Sequence, residues 1–553
     1  MKKMIQIKIV GATVLCLGVL CGFAQPKASQ VKEYTKTFKT YPFSDPDPIA
    51  RMGPFYPYFR FDGYTDKSVN QAWKVVELEN DFIQILILPE IGGKIWAATE
   101  KSTGKPFIYY NHVVKFRDIA MRGPWTSGGI EANYGIIGHT PNCSTPVDYM
   151  TKTNADGSVS CFIGTLDLLT QTSWTIEINL PKDKAYFTTR SFWSNTTSFE
   201  QPYYTWMNAG IPVAGNLEFI YPGTHHLSHD GESNAWKIHP ENGKDISFYD
   251  RNDFGPYKSY HVFGKYTNFF GAYWHRDNFG MGRYAAHDEK AGKKIWIWGL
   301  SQQGMIWEKL LTDKDGQYAE VQSGRLFNQT AESSTVTPFK HRGFAPYQSD
   351  TWTEYWFPVK ETQGFVTANP VGAMNVRASQ RMVRVDISPV MNIEAMLTIR
   401  QGQKTIYSKK VDLKILQHFT DSVATASSAT GDLEVILGDR LLEYRTDPAD
   451  GVLSRPTTSP ADVDWNTVHG LHLQGKEFIR SRTYAKAKDK LIQCLAKDPH
   501  YLPALTDLGM VNYRNMEYAK ALELLMHALR LDTYDPAANY YYCLLYTSDA
   551  ADE

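Results

Sequence analysis

Trp174-Thr175-Ile176-Glu177-Ile178-Asn179-Leu180 alternates apolar and polar side chains with period two, the pattern of a strand that buries one face. The neighbouring segments repeat it. Ala185 to Ser194 and Lys294 to Leu300 read as strands, and Phe82 to Leu88 reads as a more fully buried one stopped by Pro89. Asn154-Ala155-Asp156-Gly157 supplies a hairpin turn between two such runs. From Tyr41 to Val359 no convincing amphipathic helix and no βαβ alternation interrupts the strands, so the expectation is a large antiparallel sandwich over residues 41–360.

Further along, the aromatics thin out but the strands continue. Val383, Val385 and Ile387 alternate with Arg384 and Asp386, and Gln401-Gly402 marks a hairpin. Residues 361–446 are expected to form a small immunoglobulin-like sandwich. Residues 447–464, with Pro448, Pro456 and Pro460 among Ser, Thr and Asp, read as a linker carrying few contacts. The period then becomes helical. Leu471, Gly475, Tyr484, Ala485, Ala487, Leu491, Leu495 and Asp498 recur as Leu505, Gly509, Tyr518, Ala519, Ala521, Leu525, Leu529 and Asp532. The spacing of ~34 residues is that of tetratricopeptide (TPR) repeats. They are expected over residues 465–545 as a truncated array, with Tyr540 to Leu545 opening a third repeat helix. Residues 546–553 break the pattern and resemble translated sequencing adapter.

At the other end, Lys2, Lys3 and Lys8 precede the apolar run Ile9 to Leu20, and Gly22-Phe23-Ala24 stand before Gln25. Residues 1–24 read as a cleaved signal peptide, the apolar run Ile9 to Leu20 being too short for a membrane span of ~20 residues. Lipidation at Cys21 is the alternative, disfavoured by Leu20 where a small residue is usual. The expected location is therefore periplasmic or otherwise exported, with no membrane span. A net charge of -1 and the lack of a Lys/Arg block argue against a nucleic-acid partner. Cys143 and Cys161 read as buried thiols, a disulfide being the alternative in an oxidising compartment.

Leu88-Pro89-Glu90-Ile91-Gly92-Gly93-Lys94-Ile95, followed by Gly104-Lys105-Pro106, resembles the opening strand and turn of the aldose-1-epimerase, or galactose mutarotase-like, supersandwich. Trp125-Thr126-Ser127-Gly128-Gly129-Ile130-Glu131 with Gly138-His139-Thr140-Pro141, then Tyr318 to Arg325, then Glu354-Tyr355-Trp356-Phe357-Pro358, resemble a bacterial domain of uncharacterised function in that clan, often joined to TPR repeats. The resemblance implies a sugar-binding sandwich. The clan hosts epimerases, glycoside hydrolases and polysaccharide lyases, so fold alone does not choose among them. It also implies that Glu354 matches the mutarotase base. The mutarotase acid is a histidine in a His-Pro-Tyr-like strand, and Pro202-Tyr203-Tyr204-Thr205-Trp206-Met207-Asn208 has no histidine there, which counts against simple mutarotation.

The residues themselves suggest the same substrate class. A sugar presents apolar C–H faces and a hydroxyl rim, so its site needs aromatic platforms beside carboxylates, amides and arginine. Trp125 lies shortly before Glu131, Trp206 shares a strand face with Asn208, and Trp352 and Trp356 flank Glu354 on one face. Glu131 and His139 occupy a glycine-rich segment where side chains can be aimed, Glu131 as general acid and His139 as hydroxyl ligand or proton shuttle. Glu320 and Gln322 share a face, with Arg325 close by. Glu131 or Glu320 paired with Glu354 would suit glycoside hydrolysis. The catalytic candidates are thus Glu131, Glu320, Glu354 and His139. The substrate-binding candidates are Trp125, Trp206, Asn208, Gln322, Arg325 and Trp356. His225, His226, His229 and Asp230 read as a polar loop and His287-Asp288 as structural, so neither metal nor other cofactor is expected. The partner is an oligo- or polysaccharide, with a protein partner on the repeats. The alternative is a non-catalytic glycan-binding scaffold.

Overall fold

The Trp174 strand runs Thr172–Leu180 and pairs antiparallel with Val159–Leu166 and Phe187–Asn195. It is part of an 8-stranded sheet that faces a 13-stranded one. The structure, a computed structural model, describes residues 28–49, 56–61, 63–118, 123–135, 138–229, 231–252, 255–327, 332–379, 381–425, 432–446 and 455–549. The expected signal at 1–24 with Cys21, as well as Asp230, lies outside the described residues. Apart from one short parallel pairing of Lys39–Tyr41 with Val113–Lys115, the large sheet is antiparallel.

The core lies between the two sheets. Ile176, Ile178, Trp193, Trp352 and Trp356 meet Ile130, Met207, Ala209, Ile295, Ile297 and Val321 from the large sheet. Tyr134 stacks on Trp174 with ring centroids 5.1 Å apart and 14° between planes. The sandwich begins earlier than expected. Gln30–Tyr41 forms a strand paired along its length with Val69–Glu79, although its many charges hide the alternation. A helix also interrupts the strands, contrary to expectation: α1 (Gln302–Leu311), whose N-cap Ser301 accepts a hydrogen bond from the Gly304 amide. His225–Leu227 forms a short strand where a loop was expected. Cys143 and Cys161 are buried and unbonded.

Residues 367–445 form two 4-stranded sheets around Met374, Val385, Ile387, Leu397 and Val435. Among the described residues five helices follow: α2 (Val468–Arg480), α3 (Tyr484–Lys497), α4 (Leu502–Arg514), α5 (Tyr518–Leu531) and α6 (Pro536–Asp549). The repeat glycines sit where paired helices approach closely. A Cβ at Gly475 would come within 2.9 Å of Leu491, and one at Gly509 within 2.8 Å of Leu525, so only glycine permits these helix approaches. α6 continues beyond Leu545 through residues expected to break it.

The expectation of a nearly contact-free linker is corrected by the junction. His341 Nδ1 and Glu477 Oε1 lie 2.6 Å apart, both buried. Arg482 donates to the Leu169 carbonyl at 2.7 Å and Arg514 to the Glu200 carbonyl at 2.6 Å. Phe199 of the sandwich packs into the helical core, and Ser459 of the linker donates to the Val336 carbonyl at 2.7 Å. The helices are thus docked on the sandwich, because buried charges and carbonyls at this boundary satisfy one another across it.

Candidate functional site

The strands Ile130–Tyr134, Thr205–Pro212, Tyr318–Gly324 and Gly292–Trp298 are successive neighbours in the large sheet. Their register sets Glu131 opposite Asn208, Asn208 opposite Gln322, Gln322 opposite Lys294, and Glu320 opposite Trp296. Because side chains alternate, all of these lie on one face while Ile130, Ala209, Val321 and Ile295 enter the core on the other. The polar face opens into a cavity of about 480 Å³ lined by Trp125, His139, Trp206, Lys294, Trp296, Trp298, Trp307, Glu320 and Gln322 among others. Strand spacing puts the Glu131 and Glu320 Cα atoms roughly 12 Å apart.

One wall is the Trp125–Gly129 loop. Gly128 and Gly129 have φ of 82° and 64°, and a Cβ on Gly128 would sit 2.6 Å from the Tyr109 ring, so the loop presses onto the sheet only as glycine. It brings the Trp125 indole N–H to 2.6 Å from Glu131 Oε2, to which it donates. Asn133 donates to Oε1 at 2.8 Å, and His139 Nδ1 lies 2.6 Å from the same oxygen. Burial pushes the Glu131 carboxyl up, but His139, Lys94 and Asn133 outweigh it and hold it below the usual carboxylate range. Burial likewise lowers Lys94, whose Nζ lies 3.9 Å from Glu131 Oε2. With Nδ1 engaged, His139 can act through Nε2, and its ring stands between Trp125 and Trp206 at centroid distances of 5.3 and 4.9 Å.

Glu320 is held differently. Tyr318 donates its hydroxyl to Oε1 at 2.9 Å and Gln322 donates to Oε2. Asn208 donates to the Tyr318 hydroxyl at 3.3 Å, leaving its buried Oδ1 without a protein partner. Lys294 is buried with its ammonium 5.6 Å from the Trp206 ring and 5.8 Å from Trp296. Burial lowers it to about 7, against the opposing pull of Glu320.

Sequence reasoning missed the second wall. Trp296 stacks on Tyr257 at 4.7 Å and 21°, and Trp298 on Trp307 of α1 at 4.4 Å and 16°. The alternation of Lys294, Trp296 and Trp298 was visible in the sequence, but their position beside Glu320 depends on strand order, which no local pattern encodes.

Three candidates lie outside the cleft. Glu354 is fully buried between the sheets, with Oε2 receiving Arg283 Nε at 2.7 Å and Ser323 Oγ at 2.6 Å. Lys290 Nζ lies 3.5 Å from its Oε1. Burial raises the Glu354 carboxyl, but Arg283, Lys290 and Ser323 bring it below its ordinary value, while burial lowers Lys290 to about 8. Trp356 is a core side chain whose indole donates to Thr189 Oγ1 at 3.0 Å. Arg325 donates to Asp350 at 2.5 Å and to the Tyr203 hydroxyl at 2.8 Å and lines a different cavity. Trp352, Glu354 and Trp356 do share a face, but it is the inner one. Glu131, His139, Trp125, Trp206, Asn208, Glu320 and Gln322 come together. Among the described residues no three His, Cys, Asp or Glu side chains group as metal ligands would.

Among solved structures, the chain is similar to a TPR-domain containing protein from Parabacteroides distasonis at 18% identity. That likeness covers 95% of this chain and 87% of the other with a TM-score of 0.54, and shows the fold. A galactose mutarotase-like protein from Clostridium acetobutylicum matches at 12% identity over 52% of this chain and 96% of its own, with a TM-score of 0.38. One from Lactobacillus casei matches at 9% over 51% and 99%, with a TM-score of 0.36. The model of a domain of unknown function, DUF5107, matches residues 50–359, more than half of the chain and the whole stretch that builds the cleft; the chain belongs to that family.

Proposed function

We propose that this chain is an exported carbohydrate-active protein that binds a saccharide in the cleft and acts on it as a glycoside hydrolase or lyase-like enzyme. The observation that carries the reading is a single cavity of about 480 Å³ in which Trp206, Trp296 and Trp298 stand beside Glu320, Gln322 and His139. Indole faces take the C–H faces of a sugar, while Gln322 and Glu320 take its hydroxyls. Glu320 and His139 are the proton-transfer pair, one protonating the leaving oxygen while the other removes a proton. Glu131, already engaged by Trp125, Asn133 and His139, is a positioning residue that fixes the imidazole tautomer. Mutarotation through Glu354 is set aside, since that carboxylate lies between the sheets. The large domain is read as a galactose mutarotase-like supersandwich and the small one as immunoglobulin-like. The signal-like start supports a periplasmic location. The TPR repeats are read as docking a protein partner.

The engagement of Glu320 by Tyr318 and Gln322 favours a second reading, a non-catalytic glycan receptor, because a carboxylate already engaged by donors is a poorer proton-transfer group. Purified protein and its Glu320→Gln variant, screened on diverse glycans by reducing-end and unsaturation assays, separate the readings. Turnover by the wild type that the variant loses supports the enzyme. Binding without turnover supports the receptor, and neither turnover nor binding contradicts both.

A further inference from the structure

Arg325 misses the cleft but lines a cavity of about 320 Å³ with His287, Lys340, Arg342, Arg455 and the rings of Phe327 and Phe339. An adjoining cavity of about 200 Å³ shares His287, Phe327 and Arg455 and adds Lys293. Lys293 is next to Lys294 on an extended strand, so it points away from the cleft and these cavities belong to the opposite face. The cations outnumber the acids. Asp350 is taken by Arg325, and Asp288 is the one carboxylate among the residues lining either cavity. Among the described residues, Arg342, Arg455 and Lys293 have no carboxylate partner. Arg455 lies over Phe339 at 4.4 Å. Lys293 is bonded only to the Pro222 and Lys265 carbonyls and Thr267 Oγ1, a buried amine without a counter-ion, whose charged form a bound anion would favour. His287 Nδ1 is buried without a partner.

We infer that these joined cavities form an anion site separate from the cleft, which takes an acidic sugar, a ring bearing a carboxylate or a sulfate ester. Guanidinium forks match either oxyanion. The volume leaves room for a sugar ring beside an oxyanion of a few water volumes, ~30 Å³ each. The saccharide part rests on the reading of the cleft, whereas the anion part rests on the cations alone. Arg455 belongs to the linker and Lys340 Nζ lies 5.1 Å from the Trp465 ring, so the ligand sits where the sandwich meets the repeats.

Isothermal titration of the full chain with D-glucuronate and with glucose 6-sulfate, against glucose and inorganic sulfate, tests this and separates carboxylate from sulfate. One acidic sugar should bind, glucose should not, and Arg342→Glu, at an exposed position, should weaken binding at least tenfold. Arg455→Gln should do the same with an unchanged circular-dichroism melt. The inference is overturned if neither acidic sugar binds, if binding survives both substitutions, or if inorganic sulfate binds as tightly as the sugars. Binding lost in Trp206→Ala would also overturn it by assigning the ligand to the cleft, while failure of the cleft reading alone leaves the arginine dependence intact.

Discussion

Glu320 stands on the outer face of the large sheet, whereas Glu354 comes from the 8-stranded sheet and lies against the large sheet's inner face, and their surroundings assign them opposite work. Glu320 borders an open cavity, held by one tyrosine and one glutamine. Glu354 has no exposed surface and is enclosed by Arg283, Lys290 and Ser323. Ser323 and Gln322 are adjacent on one strand, so a single step in sequence separates the cleft from the inter-sheet cluster. A carboxylate beside tryptophans is therefore a site only when its face meets solvent. On the inner face the same constellation is a structural ion cluster.

The largest effect that could break this contrast is on stability. Glu354→Gln leaves Arg283 and Lys290 buried without their counter-charge, and such losses cost about 3–5 kcal/mol. Chemical denaturation should show a loss of that size, and a loss near zero would place Glu354 with functional rather than structural carboxylates. Glu320→Gln should do the reverse, lowering turnover by about 10²–10⁴-fold with a much smaller change in the unfolding midpoint. A variant that unfolds like Glu354→Gln would erase the distinction.

How far the sequence reached follows from the same contrast. Period two assigns residues to a shared face, so Glu320 with Gln322, and Trp352 with Glu354 and Trp356, were legible. Which face meets solvent is set by the sheet a strand joins, and so Glu354 and Trp356 were misplaced. The glycine-rich turn around Gly128 was legible because positive φ leaves a compositional mark. α1 was not, since ten residues with a mixed apolar pattern carry little signal beyond the Ser301 cap. The junction at His341 and Glu477 joins positions 136 residues apart, which no local pattern records.

That junction sharpens the comparison on a middle scale. Glu477→Gln removes the charge facing buried His341 and should cost about 1–3 kcal/mol, with the sandwich and helices melting in separate steps. Two transitions in the wild type, left unchanged by the substitution, would restore the picture of independent ends. A further effect is a pH slope. Burial lowers both Lys293 and Lys294 to about 7, below the ordinary lysine value of ~10.4. Between those values the unfolded chain binds more protons than the folded one, so stability should rise with pH, the penalty being complete below about 7. Urea unfolding at pH 7 and pH 9 should show the gain, and Lys293→Met should flatten it. A stability that falls over that interval would contradict the burial of these lysines.

The central claim, that the outer face of the large sheet is a saccharide site, is met most directly by a glycan-panel binding measurement on the wild type and on the Trp206→Ala, Trp296→Ala double variant. At least one glycan should bind the wild type and weaken tenfold or more in a variant that keeps the wild-type melt. A panel without a single ligand, or a ligand whose affinity ignores both tryptophans, would contradict it.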